Sequence, residues 1–130
     1  MNKGDVFTHE FSLTDKIYEG FIELFQDRNP LHTNDGFAQS KGFDGKVMHG
    51  NILGGFLSYF IGECLPRKNV IIHSQEIRYV KPAYMNQKLN FQAEVSNVFE
   101  SVNAIEFKFK FLKAADTLVI AKGKIQIGII

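Results

Sequence analysis

Asp27 and His32 lie five positions apart in the hexapeptide Asp27-Arg28-Asn29-Pro30-Leu31-His32. A carboxylate and an imidazole can move protons near neutral pH, provided both reach one substrate. A continuous helix would keep them apart. Over that spacing it turns about 500°, at ~100° per residue, leaving the two side chains roughly 140° from each other. Pro30 forbids that helix, because it lacks an N–H and biases Asn29 toward an extended conformation. The chain must turn between Asp27 and His32, and a turn can aim both at one small volume.

The elements that must position this pair are legible on either side of it. Asp5 to Phe11 reads as a leading strand. Thr14 is a helix N-cap, and Ile17, Phe21, Leu24 and Phe25 follow at helical spacing. That helix should end by Asp27 or Arg28, since Pro30 follows. Asp27 then sits at a helix C-terminus, where the macrodipole disfavours negative charge. Phe25 and Leu31 should desolvate it, and Arg28 acts in the opposite direction. A helical turn is expected over Asp35 to Ser40 and a loop over Lys41 to Gly45.

A second helix is expected from His49 or Gly50 to Cys64, with Ile52, Leu53, Phe56, Leu57, Phe60 and Ile61 in one wide apolar stripe. Gly54, Gly55 and Gly62 weaken it by roughly 1 kcal/mol each relative to alanine, which suggests that another backbone passes close. After Pro66 the period becomes two. Leu89, Phe91, Ala93 and Val95 alternate with polar residues, as do Ile105, Phe107, Phe109 and Phe111, and then Val119, Ala121, Ile125 and Ile127. A less regular strand covers Val70 to Val80, and turns are expected at Asn97 to Ser101 and Ala114 to Asp116. The order implies an α+β fold, a curved antiparallel sheet around a long apolar helix.

Bulk properties bound the rest. The 130 residues suit one domain with a real core. A formal net charge of +1 gives no strong pull toward nucleic acid or membrane. Cys64 is the only cysteine, so no intrachain disulfide forms, which fits a reducing cytoplasm. The N-terminal residues show no apolar core of a signal peptide. No apolar run is long enough to span a bilayer. His9, His32, His49 and His73 lack the paired spacing of a zinc site, and no metal or separate cofactor is expected.

With Asp27, Asn29, Pro30 and His32, then Phe37-Ala38, then His49-Gly50, the chain resembles the MaoC-like dehydratases, which include the (R)-specific enoyl-CoA hydratases. Arg78-Tyr79-Val80-Lys81-Pro82-Ala83 is similar to that family's Phe-x-x-Pro-Val segment. The likeness runs from Asp5 to about Ile127. It implies the hotdog fold and a hydro-lyase acting on acyl thioesters, with coenzyme A part of the substrate. It also implies a homodimer with sheets joined edge to edge.

Within that resemblance, Asp27 and His32 would hold the water that adds across an enoyl thioester. The Gly50 amide, opening the central helix, would polarise the thioester carbonyl. Asn29, His49, Asn51 and Ser58 are candidate substrate-binding residues. Arg67, Lys68, Arg78 and Lys81 are candidates for the coenzyme phosphates. Phe25 and Gln26 stand where the family often has small residues, and Asn51 where it often has methionine; these change the pocket, not the catalytic groups. An acyl-carrier-protein dehydratase would need a broad basic patch, which the sequence does not show. A noncatalytic thioester-binding module should lack Asp27 or His32, and a hotdog thioesterase would not need the hexapeptide.

Overall fold

The computed structural model describes residues 1–130. Five strands form one antiparallel sheet in the order β1-β3-β4-β5-β2: β1 Val6–Ser12, β2 Val70–Tyr79, β3 Lys88–Phe99, β4 Ala104–Lys113 and β5 Val119–Ile129. Helix α1 spans Asp15–Phe25, α2 Pro30–Thr33, α3 Asp35–Ser40 and α4 Asn51–Tyr59. The helix-to-strand switch at Pro66 and the four later strands match the sequence expectation. So does the sheet wrapped around α4, which buries Ile52, Leu53, Phe56 and Leu57.

The two-residue periodicity works because one face of β3, β4 and β5 is dry. Val95, Phe107 and Ile125 lie side by side in the register, as do Phe91 and Phe111, and all five are buried. Ring contacts knit the sheet to the central helix: the Phe60 ring tilts against Phe91 with centroids 4.8 Å apart, and Phe11 of β1 stacks on Phe56 at 4.3 Å. β2 sits at the sheet edge with most residues exposed, and its pairing with β5 shifts between Ile72 and Ser74. With no dry face it carries no clean alternation, which is why it reads as irregular.

Four details depart from expectation. The central helix is not α-helical to Cys64, because its last turn, Phe60–Cys64, is π-helical. The glycines of the central helix and its π-helical last turn do not admit a neighbouring backbone: a Cβ at Gly54 would meet only the Gln75 side chain at 3.8 Å, and Gly55 and Gly62 face open space. β3 runs past the turn expected at Asn97, ending at Phe99. Asn97 sits at a register shift, and the Glu106 carboxylate accepts hydrogen bonds from both Ser96 and Asn97, which holds the strand extended. The chain reverses instead through a 3₁₀ turn at Glu100–Val102 and Asn103 in the left-handed region. Finally, the turn between Asp27 and His32 includes a one-turn helix, α2, that Pro30 opens rather than ends.

Candidate functional site

Local hydrogen bonds fix where Asp27 and His32 point. Gln26 takes left-handed angles (φ 60°, ψ 21°), and its N–H bonds to the Ile22 carbonyl, so α1 stops at Phe25 and only Gln26 separates it from Asp27. Asp27 Oδ1 accepts from the Asn29 N–H at 3.1 Å, and Asn29 Oδ1 accepts from the Leu31 N–H at 3.0 Å. These two links form the bend and cap α2. Tyr18 donates its hydroxyl to the His32 carbonyl at 3.0 Å, tying α2 to α1.

The segment before α4 is held from both sides. The Val47 N–H bonds to the Leu31 carbonyl and the Met48 N–H to the Ala83 carbonyl. His32 Nδ1 donates to the Val47 carbonyl at 2.8 Å. Only a carbonyl faces that nitrogen, so it carries the proton and leaves the Nε2 lone pair free. His49 does the reverse: its Nε2–H donates to the Asp27 backbone carbonyl at 2.9 Å. Its Nδ1 is buried with no partner. The His32 and His49 rings stack, with centroids 4.1 Å apart and planes 27° off parallel.

Asp27, His32 and His49 each place a ligand-type atom within 4.8 Å of the others. Sequence spacing showed the first two together but not His49, which arrives through the fold. The same three donors lie close enough to hold a divalent metal, and the carbonyl bonds of His32 Nδ1 and His49 Nε2 leave the other nitrogen of each ring without a partner. The carboxylate is not enclosed. The Asp27 side chain is 47% exposed, and Phe25, expected to desolvate it, is itself 68% exposed. The left-handed Gln26 ends α1 just beyond Phe25, and the ring stays in solvent.

Asp27, His32, His49, Gly50 and Asn51 line one cavity of about 470 Å³ with Leu13, Met48, Tyr79, Lys81 and Pro82. Neither Asn29 nor Ser58 lines it; Asn29 spends its side chain on the α2 cap, and Ser58 is exposed on α4. A second, apolar groove runs between α1 and α4, lined by Ile17, Phe21, Leu24, Phe25, Ile52 and Phe56. Asp27, Phe21 and Asn51 belong to both, so the two spaces meet at the carboxylate.

Among the basic candidates, Lys81 reaches the cavity wall. Lys68 instead bonds to the carbonyls of Gly62 and Glu63 at the far end of the central helix, where Arg67 also lies. Arg78 lines a groove with Lys108, Lys110, Lys122 and Lys124 rather than this cavity.

Gly50 takes ordinary right-handed helical angles (φ −58°, ψ −33°), so its conformation does not demand glycine. Its neighbour does. A Cβ there would lie 2.7 Å from Tyr79 Cε1, 2.8 Å from Cζ and 3.2 Å from the hydroxyl oxygen. The space that glycine leaves is therefore taken by the Tyr79 ring. The N–H groups of Gly50 and Asn51 have no hydrogen-bond partner in the protein, while those of Ile52 and Leu53 bond to the His49 and Gly50 carbonyls. Tyr79 did not stand out in the sequence as a site residue, and the signal that could have marked it is its place one residue before the Val80-Lys81-Pro82 exit from β2. Burial pushes the Tyr79 phenol up. Burial likewise pushes the Cys64 thiol up, with Lys68 opposing and Glu63 adding, so the lone cysteine is a poor nucleophile.

Comparison with known proteins bears on this arrangement. The family model for the MaoC-like domain matches residues 6–112. The (R)-specific enoyl-CoA hydratase of Aeromonas caviae is 30% identical over 80 residues, a match spanning 62% of this chain and 60% of that protein. The enzyme of the same name from Rhodospirillum rubrum is 24% identical over 140 residues, covering 98% of this chain and 97% of that one. The solved (R)-hydratase structure from A. caviae superposes with a TM-score of 0.90 at 20% identity, over 100% of this chain and 98% of that chain. That likeness shows the fold, which is the hotdog. No helix is long and apolar enough to cross a membrane.

Proposed function

The chain belongs to the MaoC-like domain family, and from that membership and the site geometry we propose that it adds water to the double bond of an enoyl thioester. The reverse reaction dehydrates a 3-hydroxyacyl thioester. Its relatives bear the name (R)-specific enoyl-CoA hydratase, which supports a coenzyme A thioester as the substrate and the R configuration for the product.

The observation that carries the reading is the meeting of three features in one cavity: the Asp27 carboxylate, the free Nε2 of His32, and the unpartnered N–H groups that open α4. The thioester carbonyl docks at the Gly50 N–H. Water lies between Asp27 and His32. As the pair takes one proton from water, the hydroxide oxygen bonds to the β-carbon and the double-bond electrons move toward the carbonyl, forming an enolate. The α-carbon then takes that proton back from the pair. One water and one enoyl thioester give one 3-hydroxyacyl thioester, and both residues return to their starting state. The helix N-terminal N–H groups matter most at the enolate stage, when the carbonyl oxygen carries its largest negative charge.

The two joined spaces suit a substrate that extends both ways from its reacting carbons. The acyl chain follows the apolar groove between α1 and α4, and the pantetheine arm leaves past Tyr79 and Lys81. A dimer built through the exposed β2 edge would cover a row of unpaired strand groups, which supports association of two copies. The direct test is to follow the enoyl-thioester absorbance of crotonyl-CoA with the purified protein. Loss of absorbance, with 3-hydroxybutyryl-CoA as product, is the expected result. A folded protein that turns over neither crotonyl-CoA, longer enoyl-CoAs nor the carrier-protein thioesters would overturn it.

A further inference from the structure

We propose that the Tyr79 phenol is a second hydrogen-bond donor to the thioester carbonyl, acting beside the Gly50 amide. The inference rests on the hydratase reading of the site. Three observations lead to it. The Tyr79 ring lies against Gly50, with its hydroxyl oxygen 3.2 Å from the point where a Cβ would stand. In the proposed pose, a carbonyl oxygen at the Gly50 N–H lies in the same corner of the cavity as that hydroxyl. The hydroxyl makes no hydrogen bond within the protein, whereas that of Tyr18 donates to the His32 carbonyl, so the Tyr79 proton is uncommitted. The ring also lines the same cavity as Asp27 and His32.

The chemistry has a use for such a donor. The carbonyl oxygen gains negative charge as hydroxide adds to the β-carbon, and a donor already in place stabilises that charge more than the neutral ground state. One helix amide supplies one bond; a carbonyl oxygen has two lone pairs. A phenol is protonated near neutral pH, and partial burial pushes that of Tyr79 further the same way, so it donates without giving up its proton and takes no part in the proton transfers of Asp27 and His32. Where the resembling segment of the family carries phenylalanine, this chain carries tyrosine, so the ring contact and the hydroxyl are separable by one substitution.

The experiment compares wild type with Tyr79→Phe, which keeps the ring against Gly50 and removes only the hydroxyl. Two quantities are read: kcat and KM with crotonyl-CoA, and the infrared carbonyl stretch of bound butyryl-CoA labelled at the carbonyl carbon. Butyryl-CoA has no double bond to hydrate, so the second readout does not depend on turnover. The expected result is a fall in kcat of about 10- to 100-fold with KM within about threefold, smaller than the loss of a fully buried donor because Tyr79 is 50% exposed. The carbonyl band should shift to higher wavenumber in the variant. An unchanged kcat overturns the proposal. So does a fall in kcat with an unmoved band, which would assign the effect to packing on α4. A wild type active on no thioester overturns the hydratase reading and this one with it.

Discussion

The face between sheet and central helix and the rim from Leu24 to Gly50 are built on opposite terms. On the sheet face, Phe91, Phe107 and Phe111 are fully buried in a cluster of 24 buried residues. On the rim, Leu24 and Phe25 stand in solvent, Asp27 is half exposed, His49 Nδ1 is buried without a partner, and two N–H groups at the start of α4 are unbonded. Buried and unsatisfied polar groups cost stability, and the rim keeps them beside the two groups best suited to proton transfer. On the proposed function, the contrast assigns stability and chemistry largely to different residues, a separation that substitutions can test.

Asp27→Asn tests that separation most strongly. The amide that replaces the carboxylate still offers an oxygen to the Asn29 N–H, so the bend survives, and the position is too exposed for packing to change. Hydration should fall by about 10²–10⁴-fold, with stability within about 0.5 kcal/mol of wild type. His32→Ala should lose as much activity but also some stability, because it removes the bond to the Val47 carbonyl and the stack on His49. Full activity in either variant would dissolve the comparison. Activity and unfolding curves measured on the same preparations decide it.

Phe107→Ala is the converse. Phe107 contacts Phe7 and Phe60 edge-on, on the dry face, and lines neither the cavity nor the apolar groove. Truncation should cost about 3–5 kcal/mol of stability, read as a lowered urea midpoint. The fraction that remains folded should retain the wild-type kcat. A large change in kcat per folded molecule would mean that the core is coupled to the rim.

The two regions also differed in how openly the sequence displayed them. β3, β4 and β5 were legible because each has one dry face, and burial on one side imposes period two. β2 was legible in place, at Val70 to Val80, but not in pattern, since an edge strand exposed on both sides has little to impose one. The π-helical turn at Phe60–Cys64 left no mark either, nor did the register shift at Asn97, which depends on cross-strand bonds to Glu106. In the rim, the hexapeptide announced Asp27 and His32 through proline chemistry that acts locally. His49 at Asp27 and Tyr79 over Gly50 needed the fold, because each joins segments far apart in the chain.

Asn29 sits where local and tertiary effects meet, and it yields the smallest expected effect. Its side chain caps α2 while its backbone N–H holds Asp27, and it does not line the cavity. Asn29→Ala removes the cap but leaves the backbone link, so stability should drop by about 1 kcal/mol. Asn29→Ser restores a capping oxygen without the amide. If the residue serves the bend, serine should recover stability and activity together. If its amide contacts the thioester instead, serine should recover stability while KM stays raised. Measuring KM and the unfolding midpoint for both variants separates these cases, and recovery of both by serine would make even this residue of the motif part of the frame that aims Asp27.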